Sequence, residues 1–175
     1  DRPLAPPGYV QKLRFERTPP ALDRYLDTWD DSFRTLGVGG KRLADGFISL
    51  PGGNAAQTIT PASKRLTLPV ATLIGPTNSS ATFQFALMAR ASGKVRLFGR
   101  TTGGNQRGIN GGAFFFVRLP ASGLEFDLPL IGNFATRPVP DAGLAPDVMI
   151  APTPADIAAG RDPALDAAMA WVTRA

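Results

Sequence analysis

The stretch LPVATLIGPTNSSATFQFALMARASGKVRLFG, residues 68–99, decides the fold. Leu68 to Ile74 is a near-continuous apolar run rich in β-branched residues, the pattern of a buried strand. Gly75-Pro76-Thr77-Asn78-Ser79-Ser80 is turn chemistry and makes a tight connection into a helix over about Ser80 to Ser92. Gly93 stands where a left-handed C-terminal cap is expected, and Val95 to Phe98 reads as the next strand. Strand, helix and strand in that order predict a parallel pair joined by a right-handed crossover.

Upstream, Asp1 to Arg17 reads as an extended entry segment with Tyr9, Val10, Leu13 and Phe15 as apolar points. Thr18-Pro19-Pro20 has the form of a helix start, and Leu22, Tyr25, Leu26, Trp29, Phe33 and Leu36 follow at helical spacing until Gly37, Gly39 and Gly40. Gly46 to Pro61 is loop-rich, with a short strand at Phe47 to Leu50 and a turn at Pro51-Gly52-Gly53-Asn54. Downstream, Gly99 to Gly112 is a glycine-rich loop and Ala113 to Leu119 a strand. Pro120 to Gly123 is a turn, and Leu124 to Leu128 is its hairpin partner. Residues 129–145 read as irregular, and Val148 to Ile150 as a last short strand. Thr153-Pro154-Ala155-Asp156 has the cap, the first-turn proline and the N-terminal carboxylate of a helix start. Asp162-Pro163 opens a final helix with Leu165, Ala168, Met169 and Val172 on one face. The fold class is therefore α/β: strand–helix–strand units with an added β-hairpin and a C-terminal helix. Residues 1–68 (extended segment, helix and loops) are expected to join residues 69–175 in one domain.

Composition narrows the function. The 175 residues are 43% hydrophobic and 19% charged, which suits a packed core, and 19 Gly with 17 Pro imply many turns. The net charge of +5 is spread along the chain with no run of like charge, so a solvated basic surface is expected and not nucleic-acid binding. No apolar run approaches the length of a membrane span. There is no Cys, hence no disulfide, thiolate metal site or thiol nucleophile, and no His, hence no imidazole base or ligand within the chain. No cofactor and no metal are expected.

A strand that turns sharply into a helix exposes the side chain at the helix start and offers helix-start N–H groups to an oxyanion. Ser80 occupies that place, although Ser and Asn before a helix are also ordinary caps. Three blocks then occur in order. Pro69 to Ile74 leads into Thr77 to Ala86, with a Ser80-Ala81 step. Gly93 to Gly104 ends in Gly99-Arg100-Thr101-Thr102-Gly103-Gly104. Gly143-Leu144-Ala145-Pro146-Asp147-Val148 precedes the Asp162 to Val172 tail. Over about residues 69–172 this set resembles the C-terminal-processing (tail-specific) serine peptidase family, and residues 1–68 match only loosely. The resemblance implies a ClpP/crotonase-like core, with residues 69–175 the C-terminal part of the catalytic domain, and peptide hydrolysis through an acyl-enzyme on Ser80, with Ser79 the alternative register. It further implies Ala81, Gly103, Gly104 and Asn105 as oxyanion or substrate-binding candidates, extended or unfolded polypeptide as substrate, and a bacterial periplasmic or secreted location.

The departures are specific. The Ser-Lys members carry a lysine where Asn105 stands, and an amide cannot accept the serine proton. Arg107 stays protonated, and Lys94 lies at the wrong end of the crossover. The tricorn-like arrangement takes its histidine from an upstream segment, so the chain is expected to be a portion of a longer protein and inactive alone. Glu125 and Asp127 lie two apart on one strand face, and Glu125 is a possible helper or simply solvated. Asp141 lies near an acidic helper of tricorn-like members but out of register, and Asp147 reads as a turn or cap residue. Phe114, Phe115 and Phe116 are read either as a cleft wall or as alternating core and surface. A non-catalytic peptide-binding domain on the same scaffold is the alternative, and a crotonase-type lyase or hydratase a more distant one.

Overall fold

A computed structural model describes residues 8–50, 59–64 and 66–174. In chain order the strands are β1 (Tyr9–Leu13), β2 (Leu26–Asp27), β3 (Ile48–Ser49), β4 (Val70–Ile74), β5 (Val95–Gly99), β6 (Asn110–Arg118), β7 (Glu125–Ala135) and β8 (Val148–Met149). The α-helices are α1 (Ser80–Ser92), α2 (Pro154–Ala158) and α3 (Pro163–Val172). The chain divides into two compact units, one holding residues 1–8, 56–107 and 139–175, the other residues 9–55 and 108–138.

The first unit is built on the 68–99 stretch. β4 and β5 pair in parallel from Val70 opposite Val95 to Ile74 opposite Gly99, and β8 joins β5 in parallel at Phe98 and Gly99. α1 buries Phe83, Ala86 and Ala89 and ends on Gly93 in the left-handed conformation, as its sequence predicts. Its core is Ile74, Phe83, Ala86, Leu97 and Leu144. The expectation of a fully buried β4 needs correction: β4 is an edge strand, and Leu73 is 41% exposed. The α3 face is also rotated from the expected one. Ala168 is buried and Trp171 meets Phe98 at 5.9 Å between ring centroids, whereas Leu165 and Met169 are exposed. α2 starts with a reciprocal capping box: Thr153 Oγ1 accepts from the Asp156 N–H, and Asp156 accepts from the Thr153 N–H.

The second unit is a five-stranded antiparallel sheet in the order β2-β6-β7-β1-β3. Leu13, Ile48, Ala113 and Ile131 form its core. The continuous helix expected from Leu22 to Leu36 is absent. Two short 3-10 turns, Pro20–Tyr25 and Asp31–Thr35, flank the two-residue strand β2. The break has a local cause: the Asp30 carboxylate accepts from the Ser32 N–H and starts a new turn. The aromatics at helical spacing serve a sheet instead. Trp29 is 60% exposed yet lies 5.5 to 5.8 Å from the rings of Phe33, Phe114 and Phe116. Only Phe115 of the three consecutive phenylalanines is buried.

The hairpin partner is also longer than its sequence suggests. β7 continues through Pro129 to Ala135, where an irregular segment is expected, and Pro129 sits opposite Phe114 next to a register shift between Gly111 and Phe114. A bulge with Gly112 at φ 81° provides that shift, and a bulge is where a sheet tolerates proline. The turn expected at Pro51-Gly52-Gly53-Asn54 lies outside the described residues.

Candidate active site

The site grows from the end of β4. Pro76 sets the second position of a turn that closes when the Asn78 N–H donates to the Gly75 carbonyl at 2.9 Å. The Asn78 side chain reinforces the closure, its Oδ1 accepting from the Gly75 N–H at 2.7 Å. Ser79 is extended at φ −131° and ψ 177°, and Ser80 then takes φ 51°. Ser80 is the one residue other than glycine with positive φ among those described. For an L-residue that conformation costs about 1–2 kcal/mol, so the surroundings must hold it.

Ser80 is exposed at the first position of α1. The Ser79 carbonyl accepts from Thr82 Oγ1 at 2.8 Å and from the Phe83 N–H at 3.4 Å, which anchors the first turn. The Ser79 hydroxyl makes no capping bond. Among the described residues no acceptor takes the N–H of Ser80, Ala81 or Thr82, so the positive end of the helix is open around the Ser80 hydroxyl. A shallow pocket of about 280 Å³ lies at the carboxyl ends of β4 and β5, where parallel sheets bind ligands, and the turn residues Gly75 to Asn78 form part of its wall.

The glycine loop after β5 lies against this turn. The Gly103 and Gly104 N–H groups both donate to the Asn78 carbonyl, at 3.1 and 3.3 Å. Any Cβ would overlap the Pro76 carbonyl at Gly103 and the Phe83 ring at Gly104, so both positions require glycine for the close approach. Of these two oxyanion or substrate-binding candidates, the N–H groups are already engaged by the Asn78 carbonyl. Asn105 is likewise occupied: its Nδ2 donates to Asp141 at 2.8 Å, and its Oδ1 accepts from the Arg107 N–H at 2.8 Å. Arg107 donates to the other Asp141 oxygen at 2.8 Å. Thr102 exchanges two bonds with Leu144, its N–H donating at 3.0 Å and its Oγ1 accepting at 2.8 Å. Asp141 is therefore a clamp on the loop. Asp147 is neither turn nor cap: it accepts from the Leu97 N–H at 2.7 Å and pairs with Arg90 at 3.0 Å, fixing β8 to β5 and α1.

Of the expected site residues, the structure brings Ser80, Ala81, Gly103, Gly104 and Asn105 into one unit, and the Ala81 N–H has no acceptor among the described residues. Glu125 belongs to the other unit, exposed and opposite Arg118 at 3.7 Å. Ser80 Oγ has no hydrogen-bond partner among the described residues, and Lys94 lies beyond the far end of α1, a 13-residue helix about 20 Å long. Among the described residues no group of three or more acidic side chains is placed to hold a metal ion, and no helix is long and apolar enough to cross a membrane. The central role of Asn78 was not anticipated. Its signal is the Gly-Pro-x-Asn spacing, which puts an acceptor where it can close the turn on itself.

No family model matches this chain, and no curated protein is similar to it. Among solved structures, the chain is similar to a presumed peptidase from Parabacteroides merdae ATCC 43184, with 27% identity and a TM-score of 0.43. The match covers 68% of this chain and 36% of that one, so the chain spans about a third of that protein's length.

Proposed function

We propose that this chain carries the nucleophile of a serine hydrolase that cleaves peptide bonds, with Ser80 as the attacking residue. The observation that carries the reading is the left-handed Ser80 at an unoccupied helix start. A strained turn that raises a hydroxyl out of the fold, next to N–H groups with no acceptor, matches what acyl transfer needs. The peptide substrate and the crotonase-like core rest on the three ordered sequence blocks.

In this reading Ser80 Oγ bonds to the scissile carbonyl carbon as a base takes its proton, and the Ser80 and Ala81 N–H groups receive the developing oxyanion. The C–N bond then breaks, the amine leaves with the proton, and water hydrolyses the ester to return Oγ–H. A bacterial periplasmic or secreted location belongs to the same reading.

One observation favours the second reading, a non-catalytic peptide-binding domain: the chain has no histidine, and Lys94 lies beyond the far end of α1 from Ser80. Turnover of unfolded polypeptide by the full-length natural protein separates the two. The hydrolase reading expects cleavage that falls by about 10⁴-fold or more in Ser80→Ala. Peptide binding with no cleavage in either form establishes the binder.

A further inference from the structure

We infer that Asn78 is the positioning residue of Ser80, holding the left-handed serine in place through both its backbone and its side chain. Four hydrogen bonds converge on it. Its N–H donates to the Gly75 carbonyl and its Oδ1 accepts from the Gly75 N–H, which closes the turn. Its carbonyl accepts from the Gly103 and Gly104 N–H groups, which fixes the peptide plane entering Ser79. With that plane held and α1 anchored through the Ser79 carbonyl, the chain has two residues in which to reverse from strand to helix. An extended Ser79 and a left-handed Ser80 take up that reversal.

Asn78 is not acting as a helix cap. A capping side chain would accept from an N–H of the first turn of α1, and this one points back to Gly75. The helix-start N–H groups consequently stay open beside Ser80. The two glycines complete the device, since no side chain at either position leaves room for their N–H groups to reach the Asn78 carbonyl. The inference rests on the reading of Ser80 as a nucleophile only for what the hydroxyl does, not for how it is held.

The chain has no cysteine, so Ser80→Cys places a single thiol at this position, and its reactivity reports the geometry whether or not the protein hydrolyses anything. The full chain carrying Ser80→Cys is alkylated with iodoacetamide across pH. The expected midpoint lies below the ordinary thiol value, because helix-start N–H groups favour the thiolate. Adding Asn78→Ala is expected to move the midpoint up and slow alkylation at pH 7 by about tenfold, which corresponds to one pH unit. Hydrogen exchange at the Gly75, Gly103 and Gly104 amides supplies the second readout. It is expected to quicken in Asn78→Ala and stay slow in Asn78→Asp, which keeps the acceptor. If Asn78→Ala does not fold, Asn78→Leu keeps the shape without the acceptor and takes its place. An unchanged pH profile with unchanged exchange, or equal damage from Asp and Ala, overturns the inference.

Discussion

The two units of this chain are held by different physics. Around Ser80, order comes from backbone groups at close range: glycines that admit no Cβ, an asparagine bonded on three sides, and carboxylates clamping loop to strand. In the antiparallel unit it comes from side-chain bulk, with Trp29 against three phenylalanines and Arg14 over the Phe47 ring at 3.6 Å. Aromatic packing tolerates small displacements, whereas a hydrogen-bonded turn at van der Waals limits does not. The strained residue lies in the unit that can hold it.

The largest effects should not separate the units. Phe83→Ala and Phe115→Ala each remove a ring from a fully buried position, and each is expected to cost about 3–5 kcal/mol in denaturant titrations. Glycine substitutions then sharpen the contrast. Gly104→Ala pushes a methyl group into the Phe83 ring and should cost about 1–3 kcal/mol. Gly111→Ala, in the antiparallel sheet with open space at its Cβ, should stay within about 0.5 kcal/mol of the parent. Equal losses at the two positions would break the comparison.

Strain at Ser80 gives a smaller effect of opposite sign. Ser80→Gly relieves the left-handed conformation and should exceed Ser80→Ala in stability by about 1 kcal/mol. Acid should produce the mildest difference. The Asp156 carboxyl is lowered by its hydrogen bonds with Thr153 and then by Arg161, and the Asp45 carboxyl by its hydrogen bond from Lys12 and the Phe47 N–H. Both folded pKa values lie below the unfolded one, so each contribution is present above about pH 4 and is lost as pH falls through the folded value. Asp156→Asn and Asp45→Asn should each flatten the acid limb of a melting curve, and added salt should weaken both effects, since Arg161 and Lys12 are cations.

What was legible in the sequence follows the same division. The strand, the Ser80–Ser92 helix, its Gly93 cap and the Thr153 capping box are written in local punctuation, and local bonds make them. The Leu22 to Leu36 segment has helical spacing, but its Asp30 turn and the sheet surface that receives Trp29 outweigh that periodicity. Pro129 suggests irregular chain unless the Gly112 bulge across the hairpin is known, and that pairing is not local. At the candidate site, the start of α1 at Ser80 could be read from the turn. The engagement of Gly103, Gly104 and Asn105 could not, because it depends on Asn78 and Asp141, 25 or more residues away in sequence.

Peptide mapping of a fluorophosphonate adduct on the full-length protein tests the central claim most directly. The account predicts one adduct, on Ser80, retained in Ser79→Ala and lost in Ser80→Ala. An adduct on Ser79, or a folded protein that hydrolyses peptides with Ser80 unmodified, would contradict it.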